Sequence, residues 1–165
     1  MQFSQTPSQQ PSDNVPYSSK QRHIKRIQRE LKDLGVSWWG LHKSETHYLY
    51  QLIHPEESIG GVVYGHYNAA SIMLVATNRR IILLDTKPLF SKVEDITYDV
   101  VAGVTFEWVG IAGTVILHTR LGDIAVRTMN TKAARAFHDF VEQRCIEHAH
   151  TENEPFRPDP RYTAM

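Results

Sequence analysis

Nine histidines and one cysteine are the side chains best suited to chemistry in this sequence. Cys145, His148 and His150 stand in a C-x-x-H-x-H spacing, the kind of local set from which a zinc centre is built. Such a centre needs further ligands, and none of matching spacing accompanies it. His42, His47 and His54 are not spaced as ligands, and the last two, seven residues apart, merely share a helix face. Cys145 lies on the apolar stripe of a predicted helix, where cysteine acts as a small hydrophobe. His118 and His138 alternate with core positions and read as packed or surface groups. The sequence has no G-x-S-x-G, no glycine-rich phosphate loop before a helix, and no carboxylate pair with a supporting base. The expectation is a protein without catalysis, metal or cofactor.

Anion binding is the other chemistry the sequence offers. In "IMLVATNRRIILLDT", residues 72–86, Arg79 and Arg80 separate two apolar runs. Two guanidinium groups could clamp a phosphate or carboxylate, but neighbours on a strand face opposite sides. A two-residue link between alternating apolar runs is a hairpin signal, and Asn78 tolerates the left-handed backbone such turns demand. At least one arginine is expected to pair with an acid such as Asp95 or Asp99 and so fix strand order.

The most basic segment runs from Lys20 to Leu34, with six Lys or Arg against Glu30 and Asp33. Ile24, Ile27, Leu31 and Leu34 recur at helical spacing. Arg22, Lys25, Arg29 and Lys32 repeat that spacing two residues earlier, which puts them about 200° around the helix, opposite the apolar stripe. A helix of this kind can lie on an anionic membrane or meet nucleic-acid phosphates. The simpler account, which we prefer, is that the stripe packs on the body while the basic face is solvated. Trp38 and Trp39 point to different helix faces; one could serve a partner, or the pair could clamp the linker onto the body, the reading we prefer. The candidate ligand or lipid contacts are Arg22, Lys25, Arg29, Lys32, Trp38 and Trp39.

These residues must be positioned by an ordinary globular scaffold. At 165 residues, 41% of them hydrophobic, the chain can bury a core as one domain. A formal net charge of zero argues against a nucleic-acid binder by bulk charge. One cysteine excludes an intrachain disulfide and suits a reducing compartment. The start, "MQFSQTPSQQPSDN", lacks the pattern of a secretory signal, and no apolar run approaches membrane-spanning length. The expected location is cytoplasmic. Residues 1–17 and 151–165 are too polar and proline-rich to order themselves, residues 18–55 read as a helical extension, and residues 56–150 as the main domain. The extension's second helix is expected to begin with Ser44 as N-cap and to end at His54-Pro55. From Ser58 the text changes to seven short strands: 58–67, 70–77, 80–86, 93–99, 101–109, 113–119 and 123–129. Tight turns at Tyr67-Asn68, Asn78-Arg79, Thr86 to Lys92, Gly110 to Gly113 and Leu121 to Asp123 make this an antiparallel meander. Gly60-Gly61 suggests a bulge or a close approach. A final helix over about 131–148 carries Ala133, Phe137, Phe140, Val141 and Cys145 on one face. It is suited to plug one end of a curled sheet.

This order of elements resembles the pleckstrin-homology (PH) superfold, and in particular the bacterial YokE-like PH domains, with a likeness to GRAM domains. The matching text is "VVYGHY" at 62–67, "LVATNRRIILLD" at 74–85, "DITYDVVAGV" at 95–104, "GTVILHT" at 113–119, "DIAVRT" at 123–128 and "AARAFHDFVEQ" at 133–143. Its most specific part is the Thr77-Asn78-Arg79-Arg80 hairpin followed by Asp95 and Tyr98. The resemblance implies a mainly β fold: a partly open antiparallel barrel of seven strands capped by a C-terminal helix. It also implies a binding module, since the relatives bind lipid headgroups, peptides or proteins.

The lipid-binding relatives carry Lys and Arg around the loop joining the first two strands. Here that loop is "GHYNAAS", without either, and from Glu56 to Thr128 eight acids outnumber six bases. Phosphoinositide recognition is therefore not carried over. What remains is protein–protein interaction or self-association through a sheet edge or the groove beside the last helix. The alternative is peripheral docking on anionic lipid through the basic helix. Nucleic acid is disfavoured by low net charge and the lack of clustered stacking aromatics.

Overall fold

The computed structural model describes residues 18–87 and 90–152. Both expected disordered tails lie outside these residues, except that the last helix continues through Thr151 and Glu152. The centre of the Thr86–Lys92 connection also lies outside them.

The chain opens with α1 (Ser19–Asp33). The Ser18 hydroxyl accepts from the Gln21 backbone N–H while Gln21 Oε1 accepts from the Ser18 N–H, a capping box that fixes the start. Gly35 ends it at φ +84°, with Gly35 N–H donating to Lys32 and Val36 N–H donating to Leu31. This left-handed position favours glycine and closes a Schellman motif. A one-turn helix not anticipated from the sequence, α2 (Trp38–Leu41), follows. Then comes α3 (Ser44–Leu52), whose N-cap is Lys43 rather than Ser44. Pro55 keeps His54 out of it.

Seven antiparallel strands form one sheet: β1 (Ile59–Tyr67), β2 (Ala70–Thr77), β3 (Arg80–Lys87), β4 (Phe90–Thr97), β5 (Val101–Val109), β6 (Ala112–Thr119) and β7 (Gly122–Thr128). Their order is β4-β3-β2-β1-β7-β6-β5, so β4 and β5 remain edges and the sheet stays open. β1 and β7 meet through the single partner pair His66–Arg127. Tyr98, expected on the fourth strand, instead sits in a 3₁₀ turn at Tyr98–Val100 that carries the chain from β4 to β5. The last helix, α4 (Thr131–Glu152), is capped by Asn130, whose Oδ1 accepts from Ala133 N–H at 3.0 Å. Its buried face centres on Ala134, Phe137 and Val141. The predicted stripe is thus rotated, with Ala133, Phe140 and Cys145 at its margin.

The β1–β2 register slips between Ile59 and Gly61, a bulge that lets α4 approach. A Cβ on Gly60 would fall within 2.3 Å of the Phe140 ring, and one on Gly61 would lie 2.9 Å from the Phe137 Cα. The left-handed pair in the structure is Asn68 (φ 48°) and Ala69 (φ 63°), the two central residues of the β1–β2 hairpin, as a type I′ turn requires.

β2 and β3 are buried on both faces. Inward, Leu74, Ala76, Ile81 and Leu83 join Phe137 and Val141 of α4 in the main core. Outward, Met73, Val75, Ile82 and Leu84 pack under Ile27, Leu31, Leu49 and Ile53 of the helical lead-in. This explains "IMLVA" and "IILL": strands covered on both sides read as continuous apolar runs rather than alternating ones.

Candidate functional site

The two arginines that invited a ligand-site reading have separate fates. Arg80, at the start of β3, reaches back to the lead-in and sideways to β4. Its Nε donates to Glu57 Oε1 at 2.9 Å, its Nη1 to Asp95 Oδ2 at 2.6 Å, and its Nη2 to Leu52 O at 2.9 Å and Glu57 Oε2 at 3.1 Å. Glu57 is 1% exposed and accepts further from His54 N–H and the Thr77 hydroxyl. Burial pushes the Glu57 carboxyl up, but hydrogen bonds from Arg80, His54 and Thr77 and the Arg80 charge outweigh it and hold the group below its ordinary range. The Glu57 bond in turn raises Arg80, against desolvation. A buried charge satisfied on every side is a clamp and leaves no room for a ligand anion.

Asn78 does not adopt the left-handed turn backbone expected of it. Its Oδ1 accepts from Ser58 N–H and its own N–H donates to Ser58 O, tying the hairpin to the start of β1. The Thr77 hydroxyl accepts from the N–H groups of Arg79 and Arg80 and so shapes the turn locally. Tyr98 donates its buried hydroxyl to Thr77 O at 2.6 Å, and burial raises its pKa. Arg79 projects outward, with Glu56 at 3.9 Å. Thr77, Asn78, Arg80, Asp95 and Tyr98 are therefore one bonded unit that locks the lead-in, the β2–β3 hairpin and the β4–β5 corner together.

A second strand of this clamp was not visible in sequence. Arg26 Nη1 donates to Glu30 Oε1 at 2.8 Å and Glu57 O at 2.6 Å, while Glu30 Oε2 accepts from Ile59 N–H at 3.0 Å. One of the six bases of the Lys20–Leu34 segment is thus consumed in seating α1. Arg22, Lys25, Arg29 and Lys32 lie on the exposed face of α1, while Ile27 and Leu31 are fully buried. The tryptophans do not clamp the linker. Trp38 is 66% and Trp39 80% exposed, and Trp38 rests against His42, ring centroids 4.1 Å apart. The clamping is done by their neighbours: Gly40 and Leu41 are buried, and Thr46 and Tyr64 hydroxyls both donate to Gly40 O.

Shallow clefts open around the sheet. One lies between β4 and the β6–β7 turn, lined by Tyr67, Glu94, Asp95, Leu121 and Asp123. Its carboxylates repel a phosphorylated headgroup. Three others adjoin the β7–α4 junction. Phe106, Trp108, Thr131, Lys132 and Arg135 line the groove between the free edge strand β5 and α4, with the Arg135 guanidinium 5.6 Å from the Phe106 ring. Met129, Lys43 and Arg127 border a second. Trp39, Val62 and Ala133 border a third.

One set of side chains has the connectivity of a hydrolytic triad. His118 Nδ1 lies 3.0 Å from Asp123 Oδ1 and Nε2 lies 2.9 Å from Thr105 Oγ1. Thr105 belongs to β5, His118 to β6 and Asp123 to β7, so the two contacts run from strand to strand across the sheet. The set reads as a cross-strand tie between β5, β6 and β7. Among the described residues no three His, Cys, Asp or Glu side chains converge as metal ligands. Burial, with the Glu142 charge, raises the Cys145 thiol above its ordinary value and so disfavours the thiolate. No helix among the described residues is long and apolar enough to cross a membrane.

An open seven-stranded antiparallel sheet, curled over one C-terminal helix and marked by the Thr77–Tyr98 corner, defines the class: a PH-type binding scaffold. Residues 53–143, more than half the chain, match the family model of the bacterial PH domain, and the chain belongs to that family. Among solved structures it is similar to a DUF1696 family protein with a pleckstrin-homology domain from Shewanella loihica PV-4. That likeness has 15% identity and a TM-score of 0.44, covering 60% of this chain and 91% of that one. No curated protein matches.

Proposed function

We propose that this chain is a non-enzymatic recognition module that binds a protein partner, or a second copy of itself, by strand addition to β5. The observation carrying this reading is the β5 edge, unpaired among the described residues, lying beside a groove lined by Phe106 and by Arg135 of α4. Backbone groups along such an edge offer a ladder to an extended segment, and the groove takes its side chains. The edge carries one charged residue, Glu107, and so lacks the dense charge that blunts edges against pairing.

Gly103 supplies the test. A Cβ there meets nothing within 4 Å, so Gly103→Lys puts a charge on the edge without disturbing the core. Light scattering is expected to give wild-type masses above the 18.9 kDa of one chain, or a complex with an extended peptide from a displayed library. Gly103→Lys is expected to abolish either. A strict monomer that selects no peptide overturns the reading.

Docking on anionic lipid through Arg22, Lys25, Arg29 and Lys32 is the second reading, supported by their common exposed face on α1. It is a purely electrostatic contact, because the apolar stripe that would insert is already buried against the sheet.

A further inference from the structure

The chain has three tryptophans, and none helps to build the core: Trp38, Trp39 and Trp108 are 66%, 80% and 65% exposed. Tryptophan is ordinarily among the most deeply covered side chains of a domain. The topology gathers these exposed rings rather than scattering them. Trp39 shares a cleft with Asn130 and Ala133, and Trp108 shares one with Thr131 and Lys132. Gly113 is the strand partner of both Trp108 and Thr128, which sets Met129 beside the β5–β6 turn. All of these segments therefore meet around residues 128–133.

The β5–β6 turn itself is apolar where hairpin tips are usually polar. Val109 is 83% and Ile111 77% exposed, and Met129 nearby is 66% exposed. The tip is also preformed. Gly110 holds φ +61°, and Trp108 Nε1 donates to Gly110 O at 2.8 Å, which pins the indole against its own turn. The three clefts that meet here contain Lys43, Arg127, Lys132 and Arg135 against one carboxylate, Glu45. Glu107 lies on the opposite face of β5 from Trp108, the face it shares through Thr114 with Arg127, so the cations on the Trp108 side are Lys132 and Arg135.

We propose that this end of the molecule, carried by Trp39, Trp108, Ile111 and Met129 and flanked by Lys43 and Lys132, docks on an anionic lipid surface. The chemistry favours a bilayer interface over a protein groove. The apolar atoms project from a turn and a one-turn helix, as insertion into the headgroup region requires, and the surrounding cations match lipid phosphates and carboxylates. The inference rests on the lipid reading above but moves the contact from α1 to the β7–α4 junction, away from the β5 position that Gly103 probes.

Because no tryptophan is buried, intrinsic fluorescence of the full chain reports this end of the molecule directly. Vesicles of phosphatidylcholine with phosphatidylserine are expected to shift the emission to the blue, and brominated acyl chains to quench it. Pure phosphatidylcholine should do much less, and added salt should reverse binding. Ile111→Ser with Met129→Ser, both surface changes, is expected to weaken partitioning about tenfold or more with an unchanged circular dichroism spectrum. Lys25→Glu with Arg29→Glu is expected to leave the quenching in place. Vesicle binding that survives the first pair and disappears with the second overturns this proposal and keeps the α1 reading. No binding to anionic vesicles at low salt overturns both. A concentration-dependent blue shift without lipid, lost in the first pair, overturns the lipid assignment in favour of a protein contact.

Discussion

Glu57 and Trp39 invert the usual rule of burial in opposite directions. A carboxylate is 1% exposed under the lead-in, and an indole is 80% exposed on the same lead-in, between α1 and α3. Around Glu57 every donor and acceptor is matched by another element of the fold, so its chemistry is spent on holding the lead-in to the sheet. Around Trp39, Trp108 and Met129 large apolar areas are left facing solvent although the chain has a core that could have taken them. Buried charge marks scaffold here, and exposed aromatic surface marks the region we propose for recognition.

The sharpest way to break this contrast is to remove the scaffold side wholesale. Deleting residues 1–55 uncovers the outer face of β2 and β3, including Met73, Val75, Ile82 and Leu84. The expected product is unfolded or aggregated by circular dichroism and light scattering, although the family match begins at residue 53. A stable folded monomer would show that the lead-in is an accessory.

Next in size is Glu57→Ala, which strands Arg80 and the His54 N–H; denaturant titration should register a loss of about 3 kcal/mol or more. Asp95→Ala removes a half-exposed partner of the same arginine and should cost under about 1 kcal/mol. Equal losses would mean that Glu57 has no special place. Because the folded Glu57 pKa is lowered from its ordinary 4.5, its contribution is complete above that value and fades as the pH falls through the folded pKa. The stability gap between wild type and Glu57→Gln should therefore narrow in acid.

Gly61→Ala should cost about 1–3 kcal/mol by pushing on the α4 backbone at Phe137. The smallest effects belong to the proposed recognition side: Trp38→Ala and Trp39→Ala should each leave the thermal midpoint nearly unchanged, within about 0.5 kcal/mol. A large loss at either would return these rings to the scaffold.

Most of the fold was legible because its signals are local. Strand runs, turn residues and the spacing of α1 and α4 predict seven strands and the pairing within each hairpin, and the Thr77–Arg80 hairpin marks the family; that β1 joins β7 while β4 and β5 stay unpaired with each other is not in a meander's local signals. The small displacements have local causes as well. Tyr98 left its strand because its hydroxyl closes onto Thr77, and Asn78 kept an ordinary backbone because its amide serves Ser58. Glu57 was not legible, since nothing in "HPEES" says which of two adjacent glutamates turns inward; that choice is made by Arg80, twenty-three residues away. Trp38 and Trp39 were misjudged as a clamp because the neighbouring small residue, Gly40, does the packing. Of the proposed recognition surface, Trp39 was a candidate from the sequence, whereas "WVGIAG" read only as a strand end and a turn, and its proximity to Met129 needs the β5–β6–β7 register.

The joint between β1 and β7 is a single residue pair, and what bridges the two halves of the sheet is α4, packed on β1 on one side and on β5 on the other. The halves are each built of consecutive hairpins, so either can form from neighbouring sequence, whereas their union waits on the C-terminal helix α4. During synthesis the chain can therefore assemble its hairpins as they emerge, yet it has no closed interior until Phe137 and Val141 have left the ribosome. Until then the inner faces of β2 and β3 are open, and that interval is when this protein is most exposed to misassociation.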